Sequence, residues 1–153
     1  MKRPDAVPGT VLIVDDNVDD VRLTQRALGK IFPQLSTRAV YSGEACLDYL
    51  QGRDNYSDRD QFPYPILVFL DLKMGGLDGF DVLLWLRDHP PHNYVPVIVL
   101  TAAGDTTILR RAYTLGARSF LTKPLVPIDL ANAVSGLQDW LELVRSPVIL
   151  ARA

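Results

Sequence analysis

Four short apolar runs punctuate the chain: TVLIVD (10–15), ILVFLD (66–71), PVIVLT (96–101) and RSFLTK (118–123). Their length and their β-branched and aromatic content predict strands. A weaker alternating run, STRAVYS (36–42), predicts an edge strand. The intervening segments carry helical periodicity. NVDDVRLTQRALGKIF places Val21, Ala27, Leu28 and Phe32 on one face behind Asn17 as N-cap. GEACLDYLQG ends on Gly52, DGFDVLLWLRDH stops at Pro90 and DTTILRRAYTLG ends on Gly116, which are ordinary helix stops. A last helix from about Ile128 repeats apolar residues at helical spacing through Leu130, Ala133, Val134, Leu137, Trp140, Leu141 and Val144.

Strands that are apolar throughout are buried on both faces, and strands alternating with helices form a parallel sheet. Five such units predict an α/β, flavodoxin-like, doubly wound five-stranded parallel sheet of order 2-1-3-4-5 with helices on both faces. Residues 1–9 read as an N-terminal extension, 10–145 as one domain and 146–153 as a C-terminal tail. The long polar segment GRDNYSDRDQFPYP (52–65) reads as a solvated loop without chemical importance.

Composition narrows the class. The chain has 153 residues, 48% hydrophobic and 22% charged, which suits one soluble domain with a substantial core. Sixteen basic and eighteen acidic residues give a net charge of −2 and no support for a nucleic-acid surface. Cys46 is the single cysteine, so an internal disulfide is impossible and a reducing compartment is expected. The start, MKRPDAVPGT, has no apolar stretch behind its basic residues, and no run approaches the roughly 20 apolar residues of a membrane span. A cytoplasmic protein is expected.

In open α/β sheets, ligands bind beyond the carboxyl ends of the strands at the switch point of the winding. The first strand ends in Asp15 and Asp16, the third in Asp71, the fourth in Thr101 and the fifth in Lys123. The weak second strand, the edge farthest from the switch point, offers only Tyr41 and Ser42. Three carboxylates in one pocket push one pKa upward, and Lys123 or a divalent cation relieves the repulsion. Mg²⁺ suits best, because it takes one or two carboxylates together with phosphate oxygens. Asp71 is then a nucleophile that forms an aspartyl phosphate, with Thr101 and Lys123 on the phosphoryl oxygens.

VLIVDDN, FLDLKM with LDG, VLTA and FLTKP, in this order and spacing, resemble the receiver domain of two-component response regulators over roughly residues 10–145. The stretch DDNVDDVRLTQRAL, the long loop before the third strand and DWLEL look most like single-domain regulators paired with bacterial phytochromes. The resemblance implies Asp71 as phosphoacceptor from a sensor histidine kinase that docks near the first helix. It implies Mg²⁺ bound directly by Asp16, mainly through water by Asp15, and by Asp71 and the backbone carbonyl of Lys73. Thr101 and Lys123, with the Ala102 and Lys73 amides, are implied as phosphoryl-binding groups. Thr101 and Phe120 are implied as the switch pair, and Lys123–Pro124 as a cis peptide. The output is a protein contact, a phosphotransfer relay or a phosphoryl sink.

One position departs from the family pattern. Gly75 stands where a proline is usual, followed by Gly76, so the turn that places the Lys73 carbonyl is expected to be looser. Other readings compete. Asp15 and Asp16 also suit a plain turn, and Phe120 a core position. A phosphorylation-independent pseudo-receiver fits the same residues. A haloacid dehalogenase-like phosphatase requires a second Asp two positions after the first, and that position is Lys73. His89 and His92, in DHPPHNY, read as solvated, with no third metal ligand nearby. Val148, Ile149 and Leu150 either fray in solvent or dock on a second subunit, and their contiguity favours a homodimer contact.

Overall fold

The computed structural model describes residues 9–102 and 106–137. The strands are β1 (Gly9–Val14), β2 (Leu35–Val40), β3 (Leu67–Asp71), β4 (Val97–Thr101) and β5 (Ser119–Thr122). The helices are α1 (Val18–Ile31), α2 (Gly43–Gln51), α3 (Gly79–Asp88), α4 (Thr106–Thr114) and α5 (Pro127–Ser135). All pairings are parallel and the order is β2-β1-β3-β4-β5, as the sequence predicts. The N-terminal extension before Gly9, the far half of the last helix with Trp140, Leu141 and Val144, and the tail 146–153 lie outside the described residues.

The period of two divides each central strand between two cores. Leu12, Val14, Val68, Leu70, Val97 and Val99 face α2, α3 and α4, meeting Tyr49, Leu50, Val82, Leu83 and Ala112. Val11, Ile13, Leu67, Phe69, Ile98 and Leu100 face α1 and α5, meeting Val21, Leu28, Leu130 and Val134. That is why Ile66–Leu70 is apolar without a break: neither face sees water. β5 departs from the expected double burial. It closes the far edge of the sheet, only Leu121 is buried, and Phe120 is 36% exposed.

Local chemistry sets the boundaries. The Asn17 side chain accepts the Asp20 N–H to start α1, and Ser42 accepts the Ala45 N–H to start α2. Asp78 and Asp81 exchange side chain for backbone N–H across the first turn of α3.

The segment 52–65 is not a free solvated loop. Arg59 turns inward and its guanidinium donates to the carbonyls of Tyr49, Leu50 and Phe62 at 2.9–3.1 Å. Tyr49, Tyr56 and Phe62 pack ring against ring, and the Tyr49 hydroxyl donates to the Pro63 carbonyl at 2.8 Å. The polar residues hid this, because the groups satisfied are main-chain carbonyls. Nor are the histidines simply solvated. His89 stacks on Trp85 with centroids 4.2 Å apart, and half-buried His92 shares a 2.6 Å hydrogen bond with the Tyr64 hydroxyl. Burial lowers the His92 pKa. Neither histidine belongs to a metal-capable cluster among the described residues.

Candidate functional site: an acidic pocket at the strand ends

Parallel register builds the pocket. Val14 pairs with Leu70, Asp71 with Leu100 and Thr101 with Thr122, so the residues ending or following these strands are brought side by side. Asp15 follows β1 and its N–H donates to the Val40 carbonyl, while Lys123 follows β5 and its N–H donates to the Thr101 carbonyl at 2.8 Å. Asp15, Asp71 and Thr101 are buried, and Asp16 is exposed at the rim.

Asp15 and Asp71 are held alike. Asp15 Oδ1 accepts the Asn17 N–H at 3.0 Å, and Asp71 Oδ1 accepts the Lys73 N–H at 3.1 Å. Each carboxylate is thus fixed by the residue two positions on, a local turn that leaves Oδ2 free to face inward. Both Oδ2 atoms meet the Lys123 ammonium, at 2.7 Å from Asp15 and 3.4 Å from Asp71. The same ammonium lies 3.0 Å from Asp20 Oδ2, reaching across from the first turn of α1.

Burial raises the Asp71 pKa to about 6; Lys123 and the Lys73 N–H oppose that rise and the nearby Asp15 carboxylate adds to it. The expected upward shift is present, but loss of solvent outweighs the carboxylate repulsion anticipated from the sequence. Burial acts to lower the Lys123 pKa, yet the close approach of Asp15, the hydrogen bond to Asp20 and the charges of Asp71 and Asp15 raise it overall. Lys123 is a permanent cation here.

The donor set fits a divalent cation. Asp15, Asp16 and Asp71 each offer a carboxylate oxygen, all within 4.8 Å of one another. These are hard oxygen ligands of the kind Mg²⁺ and Mn²⁺ take. Asp15 Oδ2 also has no well-directed donor, since Lys123 approaches it closely but off the direction of a hydrogen bond. A buried carboxylate oxygen in that state is available to a metal.

The turn after β3 is braced despite Gly75. Glu44, at the start of α2, accepts the Leu77 N–H at 2.9 Å, and that bond lowers its pKa. Gly43 packs so closely that a Cβ there would strike the Leu77 carbonyl, and Gly76 takes the left-handed φ of +70° that closes the turn. The looseness expected from two glycines is therefore countered from α2. Replacing Glu44 with Ala should speed amide exchange at Leu77 while leaving the thermal midpoint nearly unchanged, because the site is open to water. Unaltered Leu77 protection would show that Glu44 is no brace.

Lys123–Pro124 is cis, as is Pro90–Pro91, which the sequence reading does not anticipate. Phe120 points outward from the edge strand, its ring edge-on to Tyr113 of α4 with centroids 6.3 Å apart. Ala102 is exposed beside Thr101. Asp20 is the site residue that sequence reasoning misses.

Comparison with known proteins agrees with this geometry. Residues 11–135 match the response regulator receiver domain. The chain is 31% identical to the response regulator Rcp1 of Synechocystis sp. over 141 residues, covering 92% of this chain and 94% of that protein. It is 33% identical to the probable methanogenesis regulatory protein FilR2 of Methanothrix harundinacea, covering 92% and 88%. Among solved structures, the bacteriophytochrome response regulator AtBRR superposes with a TM-score of 0.76 at 31% identity, covering 86% of this chain and 93% of that one. The Mn²⁺-bound form of Rcp1 gives a TM-score of 0.71 at 31% identity, covering 92% and 99%. Fold, strand-end pocket and relatives converge: the chain belongs to the response regulator receiver domain family and is similar to its phytochrome-associated single-domain members.

Proposed function

We propose that this chain is a single-domain response regulator that accepts a phosphoryl group on Asp71 from a sensor histidine kinase. Resemblance to the bacteriophytochrome regulators makes a bacteriophytochrome the favoured kinase. The observation that carries the reading is the convergence on Lys123 of the Oδ2 atoms of Asp15 and Asp71, at the ends of adjacent strands.

With a pKa near 6, Asp71 is mostly ionised at neutral pH and can act as nucleophile. An Asp71 oxygen attacks the phosphorus of the donor phosphohistidine, the P–N bond breaks, and the imidazole leaves with the bond's electron pair. Lys123 holds one phosphoryl oxygen by charge; the Thr101 hydroxyl and the Ala102 amide hold others. Asp15, Asp16, Asp71 and the Lys73 carbonyl would hold Mg²⁺, which when bound neutralises charge on the transferring group. The Lys73 N–H, now on Asp71 Oδ1, helps fix the acceptor.

Output follows from the added charge of about −1.5 to −2. Thr101 is drawn toward the phosphoryl group, Phe120 turns into the space vacated, and its contact with Tyr113 is remade. The surface of α4, β5 and α5 changes shape for a downstream partner or a second copy. This is a population shift whose extent follows the differential affinity for the two shapes.

Intact mass after incubation with acetyl phosphate and Mg²⁺ tests the acceptor. A phosphoryl-sized gain is expected, lost in Asp71→Asn and lost on chelation. No gain in folded protein, with acetyl phosphate or with a cognate kinase, would leave a phosphorylation-independent interaction module.

A further inference from the structure

Lys123 has three N–H donors and meets three carboxylates. Two of them, Asp15 and Asp71, are also candidate cation ligands. A divalent cation on those oxygens repels the ammonium, which must then leave them. Asp20 lies outside the metal-capable trio, on α1, with its Oδ2 3.0 Å from Nζ. Its side chain is 33% exposed and that of Lys123 18%, so the pair sits at the pocket's edge rather than in its floor. We propose that Asp20 is a positioning residue, the resting partner that keeps Lys123 beside the pocket once a cation displaces it from Asp15 and Asp71.

This rests on the reading of the pocket as a receiver site and adds a two-position ammonium to it. In the first position Lys123 neutralises Asp15 and Asp71 in the metal-free protein. In the second it is held by Asp20, with two protons left for an incoming phosphoryl group. Without Asp20 the displaced ammonium loses the carboxylate it touches outside the metal-capable trio among the described residues, so cation entry becomes harder. Asp20 contributes only its backbone N–H to the helix cap, donated to Asn17 Oδ1 at 3.1 Å, and a side-chain replacement leaves that bond in place.

Calorimetric titration with Mg²⁺ alone tests the inference without any phosphodonor. Asp20→Asn should weaken Mg²⁺ binding about tenfold, as loss of a group supporting metal ligands does. Asp19→Asn, which removes an equal charge from the same exposed helical turn, should have a much smaller effect, and Asp20→Glu should restore most of the affinity. The four lysines are Lys2, Lys30, Lys73 and Lys123, so the side-chain ammonium signal of Lys123 can be assigned in a ¹⁵N–¹H spectrum with Lys123→Arg as control. That signal should survive saturation with Mg²⁺ in the wild type and vanish in Asp20→Asn. Equal Mg²⁺ affinities for Asp20→Asn and Asp19→Asn, or an ammonium signal that persists in both proteins, would overturn the inference. Mg²⁺ binding that depends on Asp20 in a protein that takes no phosphoryl group would instead overturn the phosphoacceptor reading and leave this one standing.

Discussion

Replacing Asp71 with Asn should raise the thermal midpoint of the metal-free protein at neutral pH, although it removes an ion-pair partner of Lys123. Asp71 is buried, and its pKa rises to about 6 from the 3.9 or so of an unfolded Asp. The folded state therefore holds this proton more tightly than the unfolded chain does. Its contribution to stability is greatest below about pH 4 and declines as pH rises through about 6, where the folded carboxyl ionises. Asn imitates the neutral form. The two proteins should have similar stability near pH 4 and separate with rising pH, reaching a gap of about 1–3 kcal/mol. At roughly 2–4 °C per kcal/mol for a domain of this size, the difference is easily read in a melting curve. Mg²⁺ should narrow or reverse it, because a ligand that binds only the folded wild type stabilises only the wild type. A metal-free Asp71→Asn protein that melts lower than wild type at neutral pH would mean that the Lys123 interaction outweighs desolvation, contrary to the causes given above.

How much of this was legible in the sequence depends on how each residue reaches the pocket. Asp15, Asp71, Thr101 and Lys123 stand at the ends of apolar runs, and parallel pairing puts such ends together whatever the side chains do. Winding order and the location of the pocket follow from the same pattern. Asp20 comes from a helix, and its direction depends on how α1 is rotated against the sheet. In the sequence it is merely the third residue after an Asn cap, where an acid is ordinary because it favours the helix dipole. Asn17 as cap and Lys123 as the cation among the strand-end carboxylates were both visible; the meeting of Asp20 with Lys123 was not. The brace from Glu44 to Leu77 was hidden for a related reason, since it joins a side chain to a main-chain N–H 33 residues away.

Arg59 shows the same blindness on the opposite side of the functional argument, and its removal should be costly. Its Nη1 donates to the carbonyls of Tyr49 and Phe62 at 2.9 and 3.1 Å, and its Nη2 to that of Leu50 at 2.9 Å. Tyr49 and Leu50 lie in the last turn of α2, where carbonyls are short of helical partners and carry the negative end of the dipole, and that of Tyr49 also accepts the capping Gly52 N–H at 3.1 Å. The guanidinium satisfies these oxygens, binds the following loop to the helix and lies against the Tyr49 and Tyr64 rings at 5.9 and 5.8 Å. Hydrogen bonds to a charged group contribute roughly 1.5–3 kcal/mol each and do not simply add when one side chain makes them all. Arg59→Ala should therefore lower unfolding stability by about 3 kcal/mol in urea. Arg59→Lys should recover less than half, because an ammonium cannot reproduce the planar fork that reaches three carbonyls. Mg²⁺ affinity at equal folded concentration should hardly change: Glu44, at the other end of α2, contacts the turn after β3, whereas Arg59 acts on the helix C-terminus. A loss of stability below about 1 kcal/mol would show that water replaces the guanidinium at those carbonyls. A large loss of Mg²⁺ affinity in a folded variant would instead mean that α2 transmits the loop's order to the pocket.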